Sequence, residues 1–345
     1  MTVATPAPYT LENDASLAGR NTLRVAAKAR QLAELHDASA LPGLLGRLDA
    51  APLVLGEGSN VLFTGDYDGS VLVMATRGVE VDESDAGTHI AVAAGERWDD
   101  FVRWSLGQGF AGLENLILIP GTVGAAPIQN IGAYGVEVAE FIESVEAWDT
   151  REQCVVTLDN AACDFAYRNS LFKRERDRYI ITAVRFLLPR EHALKLDYAG
   201  LRQELARMGI PRPTPYLVAE AVRTLRERKL PDPAVIGNAG SFFKNPIVPA
   251  AQAADLQREH PDMMQWPVSD EQVKLSAAWL IEACEFKGLR EGDAGISNRH
   301  ALVLVNHGQA TGEALWAMAQ RVIEGVQSRF GVTLEPEPRI IGGKP

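Results

Sequence analysis

Cysteine is scarce: Cys154, Cys163 and Cys284 are the only three in 345 residues, and no two are spaced as CxxC. A scattered, odd-numbered set argues against a disulfide framework or a cysteine zinc site and suits a reducing cytoplasm, where this chain is expected to work. Six histidines are present, none in an HxH or HExxH pattern, so metal hydrolysis has weak support and no metal is expected. No apolar run reaches 18 residues, so no membrane span is expected. The opening MTVATPAPYT has neither a basic region nor an apolar core, so no signal peptide is expected. Lys and Arg number 34 against 45 Asp and Glu, a net charge of −11, and no basic stretch is sustained. Nucleic acid is therefore not an expected partner. The chain shows no GxGxxG leading into a helix, no GxSxG elbow and no internal repeat.

Glycine is present, and it is concentrated. Residues 119–135 read IPGTVGAAPIQNIGAYG, with Gly121, Gly124, Gly132 and Gly135 among small and apolar residues. Each interior glycine costs a helix roughly 1 kcal/mol against alanine, so this stretch is a loop. Pro120 and Pro127 punctuate it further. Such loops can turn successive N–H groups toward an anion. A plain Gly/Pro connection is the alternative. A second loop of the same character, Gly56-Glu57-Gly58-Ser59-Asn60, favours a large anionic cofactor.

Around these loops the texture divides. Residues 1–20 read as a mobile arm. Strands are expected at 21–25, 53–55, 61–63, 71–75, 89–93, 145–148, 154–158 and 179–188, with a short helix at 38–47 and a clear one at 98–107. Strand dominance from 71 to 188 suggests a mixed sheet. After Pro189, helices are expected at 201–208, 216–229, 250–260, 274–286 and 312–330, with strands at 241–248, 300–306 and 332–335. This reads as a second, α+β domain beginning near residue 195.

Four segments carry more polar chemistry than structure requires: Tyr167-Arg168-Asn169-Ser170; Arg226 with Lys229; Gly240-Ser241-Phe242-Phe243-Lys244-Asn245-Pro246; and Glu335-Pro336-Glu337-Pro338-Arg339. Taken singly, each has an ordinary reading: a surface arginine, cations at a helix end, a polar turn, an exposed tail. Together they offer a hydroxyl, an acid and several cations beside a cofactor loop. That combination suits redox chemistry on an anionic substrate, with the cofactor carrying electrons and the protein handling protons and charge.

Seven segments then fall into one pattern: LGEGSNVLF (55–63), LENLILIPGTVGAAPIQNIGAYGVE (113–137), YRNSLFK (167–173), KLPDP (229–233), GNAGSFFKNP (237–246), VKLSAAWLIEAC (273–284) and LEPEPR (334–339). In sequence and order they resemble the UDP-N-acetylenolpyruvoylglucosamine reductase (MurB) family, and the insert before VKLSAAWLI resembles its longer, type I branch. The resemblance implies an α+β flavoenzyme of peptidoglycan precursor synthesis. It implies a two-subdomain FAD-binding fold of the vanillyl-alcohol-oxidase (PCMH) type and a C-terminal α+β substrate domain. The limits expected are an arm at 1–20, FAD subdomains at 21–75 and 76–194, and the substrate domain at 195–345. FAD would be bound without a covalent link by Gly56, Gly58, Ser59, Asn60, Gly121, Gly124, Ala125, Ile128, Gln129, Asn130, Gly132 and Arg168. It would take hydride from NADPH and pass it to the enolpyruvyl carbon of UDP-N-acetylglucosamine enolpyruvate. Ser241 matches the family's proton donor, and Arg168 and Glu337 match the residues that stabilise the enolate, with Glu337 holding or sharing a proton. Tyr198, Arg226, Lys229, Asn245, Trp266, Lys274, His300 and Arg339 fall at substrate-binding positions. Two departures stand out. Trp266 occupies the place of a tyrosine that closes over the substrate diphosphate, and an indole cannot reproduce a phenol's hydrogen bonding. His300 stands where relatives often carry glutamine. A monomer is expected. A flavin oxidase and a non-catalytic nucleotide-sugar binder are the competing readings; the GSFFKNP and LEPEPR segments speak against the first, and intact Arg168, Ser241 and Glu337 against the second.

Overall fold

A computed structural model describes residues 7–198 and 200–342. The chain divides into two compact units, each discontinuous in sequence. The first comprises residues 1–15, 29–57 and 68–226, and the second 16–28, 58–67 and 227–345.

The first unit holds two larger sheets, and a two-stranded one of Gly132–Ala133 and Val136–Glu137. In the four-stranded one the order is Tyr9–Ser16, Lys28–Leu35, Tyr67–Met74, Leu53–Leu55. Its last pair is parallel, with Leu55 opposite Val73. In the five-stranded one the order is Cys154–Asp159, Ile142–Asp149, Tyr179–Leu188, Gly87–Ala93, Val79–Ser84. Every pairing in this second sheet is antiparallel, so the mixed sheet expected over 71–188 is corrected. The helix Trp98–Gly107 has the expected limits and buries Trp98, Phe101 and Val102. Trp98 and Phe101 meet Phe186 at 6.1 and 5.0 Å between ring centroids.

The expected arm at 1–20 is also corrected. Residues 1–6 lie outside the described residues, but Tyr9–Ser16 is the edge strand of the first sheet. The strand expected at 21–25 is instead a turn built on Asn21. Its Nδ2 donates to Leu17 O at 2.8 Å and Val25 O at 3.0 Å, and its Oδ1 accepts from Val25 N at 2.9 Å. A side chain that satisfies the local backbone in this way competes with a ladder.

The second unit is smaller and helix-rich. The order Gly237–Asn238, Leu304–Asn306, Ala294–Ile296, Arg290–Glu291 makes one sheet. Ile247–Pro249, Gln272–Leu275 and Gln265–Pro267 make another. The long helix Gly312–Phe330 ends on Gly331 at φ 66° and buries Leu315, Met318, Val322, Val326 and Phe330. Part of the helix expected at 274–286 is strand: only Ala277–Ala283 is helical, capped by Ser276 Oγ accepting from Trp279 N at 3.2 Å. No strand forms at 332–335; the strand Arg339–Ile341 pairs in parallel with Val61–Phe63 instead.

The units differ from the limits expected at 20, 75 and 194, and burial gives the reason. Leu201, Leu205, Val218, Ala219, Ala221 and Val222 lie in the first unit's core, which draws residues 195–226 into it. Leu23, Val25 and Leu62 lie in the second unit's core, which draws 16–28 and 58–67 into that one. No helix among the described residues is long and apolar enough to cross a membrane.

Candidate active site

In the first unit the two glycine-rich stretches meet. A Cβ on Gly56 would lie 2.3 Å from Thr122 Oγ1, so only glycine lets the chain run this close. Glu57 Oε2 accepts from Gly121 N at 2.8 Å, and Gly121 sits at φ 115°. The 119–135 loop is largely bonded within its own unit. Val123 N donates to Glu96 O, Gly124 N to Ala94 O, Ala125 N to Thr122 O, Ile128 N to Ala125 O and Asn130 N to Pro127 O, at 2.8–3.3 Å. Those amides already have acceptors, so contacts from Gly121, Gly124, Ala125, Ile128 or Asn130 to a ligand would come through carbonyls, Cα faces or side chains. By contrast, in the second unit no acceptor for the Gly58 or Ser59 amide is present among the described residues. Gly58 stands at φ 64°, and a Cβ there would lie 2.0 Å from Arg20 O.

The far end of the 119–135 loop is shaped by side chains. Buried Asn130, at φ 47°, donates from Nδ2 to Glu137 Oε2 at 2.7 Å and accepts from Ala139 N at 3.0 Å. Ser170 Oγ donates to Ile128 O at 2.7 Å and caps the short helix Leu171–Arg174. Arg168, at φ 52°, donates from Nη2 to Gly132 O at 2.8 Å and lies over Tyr167 at 5.3 Å. Tyr134, at φ 50°, has its carbonyl held by Asn115 Nδ2 at 2.8 Å, and the same amide group donates to Lys195 O at 2.9 Å. Three non-glycine residues held at positive φ within one site, Asn130, Tyr134 and Arg168, mark strain of the sort that functional sites keep.

Tyr134 packs its ring 4.9 Å from that of Tyr198. Burial pushes its phenol up to about 12, against a pull downward from Arg226. Arg226 is itself shifted down, by desolvation first and by Arg168 in part, while Tyr134 and Asp99 oppose the shift. Its buried Nε–H has no hydrogen-bond partner among the described residues. Two neighbouring arginines, one with an orphaned buried donor, are a poor arrangement without an anion. Of these residues, the sequence singles out Arg168, Tyr198 and Arg226 but not Tyr134, Asn115 or Glu57. The one local signal in the sequence was a tyrosine in the run Gly132-Ala133-Tyr134-Gly135.

In the second unit Ser241 and Glu337 sit on adjacent stretches of backbone. Glu337 N donates to Phe242 O at 2.8 Å, Lys244 N to Glu335 O at 2.9 Å, and Phe243 bridges Pro336. Both residues are half-buried, and no partner for the Ser241 hydroxyl is present among the described residues. Lys244 Nζ binds Glu335 Oε2 at 2.7 Å. Asn60 joins the same tail: its carbonyl accepts from Arg339 N at 3.0 Å and its Nδ2 donates to Glu337 O at 3.4 Å.

On the other side of Ser241, Phe242 N donates to Leu302 O at 2.7 Å. Leu302 N in turn donates to His300 Nδ1 at 3.2 Å, which makes Nδ1 the unprotonated ring nitrogen. Burial moves His300 below its ordinary range, and Lys229 adds to that shift. Asn245 Oδ1 accepts from Ala277 N at 3.0 Å and so orients the helix Ala277–Ala283. Trp266 and Lys274 face each other across strands, with the ammonium 6.0 Å from the indole centroid.

Comparison with known proteins decides the family. A profile described as UDP-N-acetylenolpyruvoylglucosamine reductase, C-terminal domain, matches residues 232–341, and one described as FAD binding domain matches 36–158. A UDP-N-acetylenolpyruvoylglucosamine reductase of Xanthomonas campestris pv. campestris (strain B100) is 53% identical over 347 aligned positions, covering 99% of each chain. The chain belongs to the UDP-N-acetylenolpyruvoylglucosamine reductase family. The reductase of Xylella fastidiosa (strain M12) is 52% identical over 341 positions, covering 97% of each chain. The crystal structure of the reductase from Thermus caldophilus superposes with a TM-score of 0.65 at 25% identity, over 96% of this chain and 98% of that one. The α+β flavoenzyme fold expected from the sequence is thus the fold of this family, and FAD is the family's cofactor. The second unit's Gly58 and Ser59 amides are open donors of the kind a diphosphate takes; separately, in the first unit, the Arg226 Nε–H and the Tyr134 phenol are donors of the kind an anionic substrate takes.

Proposed function

We propose that this chain reduces UDP-N-acetylglucosamine enolpyruvate to UDP-N-acetylmuramate with NADPH as the electron source, in the cytoplasm, as a step of peptidoglycan precursor synthesis. The observation that carries the reading is the junction of the Ser241 segment with Glu337 at the Phe242 carbonyl, which sets a hydroxyl and a carboxyl on adjacent stretches of backbone. Residues 21–194 supply the FAD contacts through the two glycine-rich loops, and 195–345 supply most of the substrate contacts.

When bound, FAD supplies the hydride chemistry. The chain's own residues handle the charge and the proton. Adding a hydride to the enolpyruvyl methylene leaves negative charge beside a carboxylate. Arg168 is pre-set for that charge by its positive φ and its bond to Gly132 O, so it needs little rearrangement when the charge develops. Glu337 stabilises the same enolate by hydrogen bonding, and Arg339 holds the substrate carboxylate. The Ser241 hydroxyl delivers a proton to the neighbouring carbon. A serine hydroxyl is a poor acid, and Lys229, close enough to perturb His300, is the cation that steadies the departing alkoxide. Tyr198, Arg226, Asn245, Lys274 and His300 bind the rest of the nucleotide sugar. Trp266 covers it by stacking, since its indole has one donor and no acceptor.

The test is a pair of half-reactions. An anaerobic, yellow preparation should bleach with NADPH and recolour on adding the enolpyruvyl nucleotide. Recolouring by air alone would sink the reading. In Ser241→Ala the first step should survive and the second should slow by ~10²–10⁴-fold, the usual worth of a positioned proton transfer.

A further inference from the structure

Glu57 is the one acid in the GEGSN loop, and a carboxylate is an odd neighbour for a loop that takes an anionic cofactor. Its two oxygens are both used. Oε1 meets Arg97 Nε at 2.5 Å, and Oε2 accepts from Gly121 N at 2.8 Å. Arg97 is itself bridged to Thr122, and Trp98 N donates to Gly121 O at 2.9 Å. Gly56 also runs close to Thr122, where a Cβ would lie 2.3 Å from its Oγ1. One carboxylate therefore ties together the GEGSN loop, the entry to the helix Trp98–Gly107 and Gly121, the first glycine of the 119–135 loop. An ion pair this exposed, with Arg97 side chain 56% accessible, contributes little by itself. A carboxylate accepting a main-chain N–H is a stronger, charge-assisted bond.

We propose that Glu57 is a positioning residue that sets the spacing of the two glycine-rich loops, and that Arg97 is there to cancel its charge where the cofactor's diphosphate is taken up. The proposal rests on the FAD reading of these loops. Glu57 does the holding through Gly121, and Arg97 makes that holding compatible with an anionic ligand. The two roles separate by mutation. Glu57→Ala removes the acceptor from Gly121 N. Glu57→Gln keeps an acceptor there but removes the charge. Arg97→Ala keeps the acceptor and leaves the charge bare.

The measurement is FAD affinity of the apo-protein, followed by quenching of flavin fluorescence, together with amide hydrogen exchange at Gly121. Glu57→Ala should weaken FAD binding by about 10–100-fold and speed exchange at Gly121, since a main-chain donor loses its partner. Glu57→Gln should stay within about threefold of wild type in both readouts. Arg97→Ala should weaken binding by about tenfold, most strongly at low salt, where an unscreened charge acts furthest. The double variant Arg97→Ala with Glu57→Gln should bind better than Arg97→Ala alone, a recovery that the loss of an ordinary ion pair cannot give. If Glu57→Ala does not fold, Glu57→Gln, Arg97→Ala and the double variant still decide the matter. Wild type that takes up no FAD would remove the cofactor reading itself. Wild type that binds, with Glu57→Ala within twofold of it or with no recovery in the double variant, would overturn the positioning role alone.

Discussion

The first unit holds its site residues by side chains that reach across the sequence, and the second holds them by backbone ladders. Asn115, Glu57 and Ser170 each clamp a carbonyl or amide of the 119–135 loop, and Asn130, from within it, accepts from Ala139 N. Around Ser241 and Glu337 the work is done by main-chain bonds from Phe242, Lys244 and Glu337, and by the parallel strand pair Val61–Phe63 and Arg339–Ile341. The difference predicts where substitutions propagate. A changed side chain in the first unit should disturb the loop itself, whereas one in the second should remove chemistry and leave geometry in place.

The sharpest trial of that contrast is Glu337→Gln. Flavin reoxidation by the enolpyruvyl nucleotide should slow by ~10²–10⁴-fold, with the thermal midpoint unchanged. Glu335→Gln, which removes the charge paired with Lys244 at a largely exposed carboxylate, should leave the rate within about twofold. Equal effects from the two would end the assignment of Glu337 as catalytic. Next, Gly58→Ala should break the rule that the second unit tolerates change, because the fault there is in the backbone. It combines a left-handed φ of 64° with a clash on Arg20 O, and should cost about 3 kcal/mol in denaturant unfolding. Asn115→Ala, in the first unit, strips the donor from Tyr134 O and Lys195 O. It should cost about 2–3 kcal/mol and weaken substrate binding through Tyr134 and Tyr198, measured by calorimetry. If it cost nothing, the side-chain clamps would not be what holds the loop.

A smaller effect concerns pH. Burial lowers the His300 pKa from the ordinary 6.5, so the unfolded chain binds its proton first as pH falls. The stability His300 confers is therefore full above pH ~6.5 and is lost as pH drops toward its lower folded value. His300→Gln should flatten that slope in unfolding titrations; an unchanged slope would assign it to another group. Last, Trp266→Ala should alter stability by less than ~0.5 kcal/mol, since the indole is 41% exposed, while raising the KM for the nucleotide sugar.

The same contrast governs what could be read from the residues alone. Helices at 98–107 and 312–330 and the strand at 179–188 have the limits that periodicity indicates, because their burial stripes are local. Lys28–Leu35 was not foreseen: KARQLAEL mixes charge and apolar residues without a clean alternation, and its strand character comes from partners at 9–16 and 67–74. VKLSAAWLI reads as one helix in sequence, yet Val273 and Lys274 pair with 247–248 and 266–267, and the helix starts only at the Ser276 cap. Arg168, Ser241 and Glu337 stand out in the sequence because their segments are distinctive. Glu57, Asn115 and Tyr134 were not, since each matters through a contact with a residue tens of positions away that no local pattern records.

The link between Asn60 and Glu337 spans 277 positions. At synthesis rates of about 5–20 residues per second, the tail that completes the 58–60 loop emerges roughly 15–55 s after that loop does. Until then Val61–Phe63 lacks its parallel partner. The nascent chain thus carries an unfinished 58–60 loop and an unpaired strand edge for most of its time on the ribosome.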